Sequence, residues 1–497
     1  MMETGQVSVP LYEPRDQRTI DKYLSQYSEP EARLQSLVLA QLADANWDYV
    51  VTIPACGEDE FLPGALDSIN KCKVVRNNNR VLCIIVLNGN EAREAEFKLS
   101  NQKMRDWFSN CCTPVIDVFN PDDSCPQSLL AWRDIEILII DRSQEPWLIP
   151  ADQGVGLVRK IGADIALFLI AAGKITCPWI HATDADARVP DDYFLRATET
   201  RIGIDGNSLP PSCVIYPYRH IPDPNMEQQD HQRYWSAITD YELWLRYYVA
   251  GLEWAGSSYA YPSIGSLLAF DALAYARIRG FPKRMAGEDF YFQNKLAKVG
   301  AMTTLYGHPV KLLTRISTRV PFGTGQGTIA IDELNSNGQR YTVYNPLVFS
   351  FVRGFLNAVR NWFQDAGLNE QEREKKFIAV LEEYRPQQKE SSEGYRLWLE
   401  KLFAELHLFK NLYAAEKRSK SLHGANRQFD DWFDGFRTLK LIHRLRDDLY
   451  GSLPLIEALQ ASSFLQWPGQ RENFQNSREG WLQSLRSRVA SEKILQN

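Results

Sequence analysis

The 497-residue chain is poor in cysteine and has no excess of positive charge. Its eight cysteines form no C-x-x-C pair and have no histidine at zinc-finger spacing, so neither a zinc site nor a disulfide framework is predicted. Lysine and arginine number 56 against 62 aspartates and glutamates, a net charge of −6. This balance argues against a general nucleic-acid-binding protein but leaves room for a local basic pocket.

Long hydrophobic runs are also missing. The most apolar helical stretch, residues 161–175, is too short to cross a bilayer and contains Asp164 and Lys174. Residues 1–18 lack the apolar core of a secretory signal. We therefore expect a chain without a transmembrane span, and the cytoplasm is the default location.

Three segments differ in their hydrophobic pattern. Residues 1–45 predict an N-terminal helical extension, because leucines from Leu34 to Leu42 recur at helical spacing. Residues 46–335 mix apolar strands with helices. Residues 336–497 show helical periodicity and little strand signal, which predicts a helical C-terminal domain.

The middle segment alternates buried strands with helices. Strands are predicted at 47–54, 80–87, 135–141, 179–183 and 214–218, and helices at 65–71, 91–110 and 154–173. Such alternation predicts an α/β fold with a mostly parallel central sheet. In sheets of this kind ligands bind beyond the carboxyl ends of the strands.

An Asp-x-Asp motif follows the predicted strand 179–183. In an extended segment Asp184 and Asp186 point the same way and face one hard cation, Mg²⁺ or Mn²⁺. The alternative is that an aspartate caps the helix that follows Pro190.

A second acidic pair opens a predicted amphipathic helix. Glu288 and Asp289 follow Gly287, and acids at a helix start are stabilised by the macrodipole alone. The functional interpretation is a carboxylate that accepts a proton from an acceptor hydroxyl. The sequence by itself does not decide between the two.

Taken in order, these segments resemble a GT-A fold glycosyltransferase, most closely the family 2 type. The resemblance spans roughly residues 47–325 and is carried by residues 49–69, 80–90, 154–166, 179–194, 263–281 and 287–300. It implies a Rossmann-like domain with a mostly parallel central sheet. It also implies a nucleotide-diphosphate-sugar donor (a UDP- or GDP-sugar), a hydroxyl acceptor, and Mg²⁺ or Mn²⁺.

The resemblance also implies roles for individual residues. Donor contacts fall at the ends of the first two strands and in the helix that begins at residue 154, on Pro54, Ala55, Glu58, Asn88, Arg159 and Lys160. Asn88 stands where the family usually has an acidic contact to the base, which leaves the base open. Asp184 and Asp186 match the metal motif, with Asp184 also reaching the donor.

Asp289 matches the catalytic base of inverting members of this family, with Glu288 beside it. In a retaining reaction Asp289 would position the acceptor or the sugar instead. His308 lies where some GT-A enzymes complete the metal site, or it is an ordinary strand-end histidine. The glycine-rich basic run 314–327 is either a lid over the diphosphate, with Arg319 as its phosphate contact, or a surface linker.

The aromatic segment 234–261 either packs in a core or stacks on sugar rings.

The sequence leaves two alternative functions open. A nucleotidyltransferase-like α/β enzyme would need a lysine-bearing glycine-rich loop after the first strand, but residues 55–60 are acidic and lack lysine. A catalytically inactive GT-A scaffold would not need Asp184, Asp186 and Asp289 intact. The helical domain either forms a homodimer or holds the acceptor.

Overall fold

The computed structural model describes residues 12–33, 42, 45–119, 125–202, 210–315, 323–386, 391–465 and 477–491. The chain divides into two compact units. The first comprises residues 1–226 and 263–326, and the second comprises residues 227–262 and 327–497. The predicted boundaries at residues 45 and 335 stay a prediction; residues 227–262 group with the second unit.

The strands are β1 (Tyr49–Ala55), β2 (Val81–Asn88), β3 (Thr113–Phe119), β4 (Gln127–Trp132), β5 (Ile135–Arg142), β6 (Trp179–Ala182), β7 (Ala187–Arg188), β8 (Pro211–Ile215), β9 (Tyr218–Pro222), β10 (Leu268–Asp271), β11 (Ala301–Thr304), β12 (Val310–Thr314), β13 (Thr342–Tyr344) and β14 (Ser452–Pro454).

The helices are α1 (Pro14–Gln26), α2 (Leu62–Asn70), α3 (Lys73–Arg76), α4 (Glu94–Cys111), α5 (Gly154–Ala171), α6 (Tyr193–Ile202), α7 (Gln228–Ala255), α8 (Ala272–Arg277), α9 (Glu288–Leu296), α10 (Thr324–Ser336), α11 (Leu347–Gln364), α12 (Glu370–Glu382), α13 (Ser392–Leu406), α14 (Leu408–Arg418), α15 (Leu422–Trp432), α16 (Gly435–Leu445), α17 (Leu455–Ala461) and α18 (Arg478–Ser491). None of them, within the described ranges, is long and apolar enough to cross a membrane.

A nine-stranded sheet forms the centre of the first unit, in the order β11-β8-β10-β6-β1-β2-β5-β4-β3. Its middle strands, β6, β1, β2 and β5, are parallel. Val81 to Leu87 of β2 are all buried, which explains why this strand appears in the sequence as a continuous apolar run. The predicted α/β fold with a helical C-terminal region is confirmed.

Helix α5 packs on the middle of this sheet. Gly162 makes the close approach possible, since a Cβ at this position would lie 3.3 Å from the Thr52 side chain of β1. The helix begins beside the carboxyl ends of the parallel strands, so the packing fixes where the residues of its first turns lie.

Some predicted elements differ from the structure. The predicted strand 214–218 is wrong, because residues 216 and 217 separate β8 of the large sheet from β9 of a three-stranded sheet, β7-β12-β9. The strands β3 and β4 were not predicted; they form an antiparallel pair at the sheet edge. In the N-terminal extension the structure shows α1. Leu34, Leu37 and Leu39 of the leucine pattern lie outside the described residues, whereas Leu42 is described and buried.

The second unit is mostly helical and contains the aromatic helix α7. Tyr247 of this helix is fully buried, donates a hydrogen bond to the Tyr344 carbonyl at 2.7 Å, and stacks edge-on against Phe349. For Tyr247 the core interpretation is therefore confirmed. One short antiparallel ribbon, β13–β14, also belongs to this unit and was not predicted.

Candidate active site

Polar side chains gather where the parallel strands of the first unit end. Glu58 follows β1, Asp184 and Asp186 follow β6, and Arg315 follows β12. Arg159 comes from the second turn of α5, and Glu288 and Asp289 open α9. The carboxyl edge of the sheet thus collects five acidic residues and two arginines from distant parts of the chain.

Arg159 joins two of the predicted motifs. Its Nε donates to Oε1 of Glu288 at 3.0 Å, and its Nη2 donates to Oδ1 of Asp184 at 2.8 Å. The side chain is only 6% exposed. Its Nη1 is buried and has no hydrogen-bond partner among the described residues.

The short turn Gly265–Leu267 makes room for this guanidinium. A Cβ on Gly265 would lie 2.5 Å from Nη2 of Arg159, so only glycine fits without moving the arginine. The position of Arg159 is therefore fixed from three sides, by two carboxylates and a close backbone.

Arg315 forms a second junction. Its two terminal nitrogens donate to both oxygens of Glu58, at 2.8 and 2.9 Å, and its Nε lies 2.6 Å from Oδ2 of Asp186. The guanidinium also lies 4.8 Å from the Phe61 ring centre. Arg315 was not predicted as a site residue, and Arg319 was preferred, although Arg315 is a charged residue directly after a buried strand.

The Asp-x-Asp segment is a turn and not the extended segment that was expected. The chain reverses between β6 and β7, and the amide of Ala187 donates a hydrogen bond to the Asp184 carbonyl at 3.1 Å. The Asp184 and Asp186 side chains bind different arginines and remain 30% and 19% exposed. Desolvation is the main effect on Asp184 and raises its pKa. The positive charge of Arg159 lowers that pKa, and the negative charge of Asp186 raises it, so the two aspartates still act on each other.

Asp289 is electrostatically distinct from its neighbours. Desolvation, helped by the negative charge of Glu288, raises the pKa of Asp289 to about 7, and the positive charge of Arg159 opposes the rise. Burial also raises the pKa of Glu288, against the effect of Arg159. A carboxylate that titrates near neutral pH is suited to general base catalysis.

Lys160 does not reach this group of residues. Its Nζ lies 2.7 Å from Oδ2 of Asp164 and 2.8 Å from the Tyr23 hydroxyl, and the side chain is buried. One residue along a helix turns the side chain by about 100°, so Lys160 faces α1 while Arg159 faces the strand ends. Lys160 thus holds the N-terminal helix against α5.

The other predicted donor contacts lie at the strand ends. Ala55 is buried and Pro54 is partly buried at the end of β1. The Asn88 side chain donates to the Ala55 carbonyl at 2.9 Å and to the Val86 carbonyl at 3.1 Å, so it ties the ends of β1 and β2 together. Arg319 lies outside the described residues.

His308 lies with other acids than the predicted pair. It is exposed, and its Nδ1 is 3.8 Å from Oδ2 of Asp192. The ligand atoms of Asp191, Asp192 and His308 all lie within 4.8 Å of one another, and in the described part of the chain this is the single such group of three. Among the described residues, a cation at the Asp-x-Asp turn would therefore have the two carboxylates of Asp184 and Asp186 as ligands, and His308 would not be a third.

Two carboxylates fit Mg²⁺ or Mn²⁺ bound together with substrate. Such a cation commonly takes one or two protein carboxylates and fills its remaining positions with water and phosphate oxygens. Arg159 contacts one oxygen of Asp184 and Arg315 one oxygen of Asp186, and each carboxylate has a second oxygen as a ligand atom. The donor set is thus chemically suited to a hard cation.

Comparison with known proteins gives weak likenesses only. No protein-family model matches the chain, and no curated protein matches its sequence. TarS residues 1–349 from S. aureus, in complex with UDP-GlcNAc, is 11% identical at a TM-score of 0.32, over 81% of this chain and 93% of that one. The mannosyltransferase PcManGT from Pyrobaculum calidifontis, in complex with GDP-Man and Mn²⁺, is 12% identical at a TM-score of 0.30, over 85% and 93%.

Proposed function

We propose that this chain is a glycosyltransferase that moves a sugar from a nucleotide-diphosphate-sugar to an acceptor hydroxyl. The observation that carries the proposal is the double contact of Arg159, which joins Asp184 of the Asp-x-Asp turn to Glu288 beside Asp289. One buried arginine thus contacts both the Asp-x-Asp turn, where we propose the cation, and the glutamate beside a carboxylate with a raised pKa, at the carboxyl edge of the sheet.

Asp184 and Asp186 would hold Mg²⁺ or Mn²⁺ in this enzyme. When bound, the cation supplies neutralising charge for the leaving diphosphate. Arg159 and Arg315 place fixed positive charges beside the same two carboxylates, which orients the carboxylates and adds stabilisation for developing negative charge.

Asp289 is the proposed base. It accepts the proton of the acceptor hydroxyl while that oxygen attacks the anomeric carbon from the face opposite the diphosphate, which inverts the configuration. A base whose pKa is about 7 is substantially deprotonated at neutral pH and still gains affinity for the proton from its desolvation. Glu288 stays paired with Arg159 and holds the guanidinium of Arg159 in place.

Sugar release from the donor tests this proposal. We expect the wild-type chain with Mn²⁺ to hydrolyse a UDP- or GDP-sugar slowly, and Asp184→Ala to lose that activity. Asp365→Ala is the matched control, because it removes an aspartate whose contact is an ion pair with Lys376 at 3.2 Å in the second unit. Equal hydrolysis by wild type and Asp184→Ala, or none by wild type with any donor, would contradict the proposal.

A further inference from the structure

We propose that three cations on the small sheet of the first unit bind the phosphate groups of an anionic acceptor. These are Arg188, Lys311 and Arg219, called the cationic row below. The inference rests on the proposed function and deepens it, since it names the chemical class of the acceptor.

The register of the small sheet places the three side chains side by side. Lys311 of β12 is paired with Arg188 of β7 on one side and with Arg219 of β9 on the other. Neighbouring strands lie about 4.8 Å apart, so three positive charges follow one another across three strands. Like charges directly opposite each other destabilise a sheet, which makes a row of three costly without a ligand.

Among the described residues the cationic row has no ion-pair partner at contact distance, although the negative charges of Asp186, Asp223 and Asp67 act on Arg188. Within the described residues no ion pair joins Arg188, Lys311 or Arg219 to an acid, and Lys311 and Arg219 are exposed. Arg188 is held by the backbone, with Nη1 donating to the Ala187 carbonyl at 2.9 Å, and a Cβ on Gly64 would collide with its guanidinium. Its position is thus fixed before any ligand arrives.

The row lines a cleft of about 710 Å³, a size typical of ligand sites. Two carboxylates also line it, but both are already paired with other cations. Asp67 binds Lys71 at 2.5 Å and Arg133 at 2.5 Å, and Asp191 lies 3.3 Å from Arg76. The charges of Lys311 and Arg219 therefore stay available to a ligand in the cleft, whereas that of Arg188 is partly offset by nearby acids.

The cleft adjoins the proposed donor site along the chain. Arg188 comes two residues after Asp186, and Arg315 directly follows the strand that carries Lys311. An acceptor held by the row would therefore lie beside the strands that end at the donor site, while the donor diphosphate is assigned to the cation that Asp184 and Asp186 would hold.

Phosphate is the anion that this row fits best. Arginine binds phosphate with two parallel hydrogen bonds, and lysine adds a point charge. Three cations spread over two strand spacings, about 10 Å, match a ligand with several phosphate groups better than one with a single carboxylate. We therefore assign the cleft to an acceptor that bears more than one phosphate.

Binding of inorganic tripolyphosphate to the full chain in EDTA tests the assignment, measured by titration calorimetry. Arg219→Gln/Lys311→Gln is expected to weaken binding by about tenfold or more, because each charge-assisted contact contributes on the order of tenfold. Lys401→Gln/Lys410→Gln removes the same charge from exposed positions of the second unit and is expected to bind like wild type. Equal binding by wild type and the row variant would overturn the proposal.

Asp184→Ala separates the two phosphate sources. If the row binds the acceptor, this variant keeps tripolyphosphate affinity. If Asp184→Ala changes the tripolyphosphate affinity as much as Arg219→Gln/Lys311→Gln does, the phosphates lie at the donor site and the assignment to the acceptor is wrong. Failure of the proposed function has a different signature, namely no Mn²⁺-dependent donor hydrolysis by wild type, and it leaves the tripolyphosphate result untouched.

Discussion

A single buried guanidinium, that of Arg159, holds two carboxylates from distant parts of the chain. Removal of Arg159 would leave Asp184 and Glu288 without their shared positive charge. This lowers stability, because a buried carboxylate is then unpaired. At the residue scale the same contact therefore links stability to the geometry of the site.

Arg159→Gln is predicted to lower the free energy of unfolding by about 3–5 kcal/mol, the usual cost of breaking a buried ion pair. Urea denaturation followed by circular dichroism measures the change. Arg159→Lys keeps the charge but loses the planar fork, so its loss should be smaller. An Arg159→Gln protein as stable as wild type would show that these contacts contribute little.

The raised pKa of Asp289 predicts a pH profile. A base works only when deprotonated, so kcat/KM should fall as the pH drops below about 7. Asp289→Asn is predicted to lose about 10²–10⁴-fold in kcat, the usual contribution of a general base. Rates measured between about pH 5 and pH 8 check the first expectation. A flat profile would exclude Asp289 as the base.

Among the elements, those buried on both faces were predicted best. The predicted strands at 80–87 and 135–141 lie within one residue of β2 and β5, because a covered parallel strand is a continuous apolar run. The two outer strands β3 and β4 escaped prediction. β3 is the edge strand and contains Pro114, and β4 beside it begins with the polar residues Gln127 and Ser128.

The candidate site was predictable only as far as local pattern reaches. Asp184 and Asp186 were located because they follow a buried strand, but their turn conformation and separate arginine partners depend on how β7 pairs with β12. That pairing joins residues more than a hundred positions apart and leaves no local signal. The opposite directions of Arg159 and Lys160 likewise depend on what packs against each side of α5.

The turn Gly265–Leu267 gives a prediction at the scale of an element. Gly265→Ala would push a Cβ to 2.5 Å from Nη2 of Arg159, so the guanidinium must shift and lose alignment with a carboxylate. We expect kcat/KM to fall by about 10–100-fold, since small displacements in an active site are costly. Gly367→Ala is the control, because its Cβ would meet nothing within 4 Å. Equal kinetics for the two variants would contradict this account of the turn.

Across the whole molecule, a net charge of −6 coexists with local positive charge in the first unit. Arg159 and Arg315 form ion pairs with acids at the strand ends, whereas no described acid forms an ion pair with the cationic row. The bulk composition argues against a general nucleic-acid binder, but it gives no information on where the cations lie. Only the sheet register brings them together.

Nucleotide binding by the full chain tests the central claim most directly. Calorimetric titration with UDP and with GDP, in Mn²⁺ and then in EDTA, compares wild type with Asp184→Asn/Asp186→Asn and with the control Asp365→Asn. We predict that wild type and the control bind one of the two nucleotides in Mn²⁺ and that EDTA or the double substitution weakens binding by about tenfold or more. Binding of equal strength with and without the cation and the two aspartates would contradict the claim.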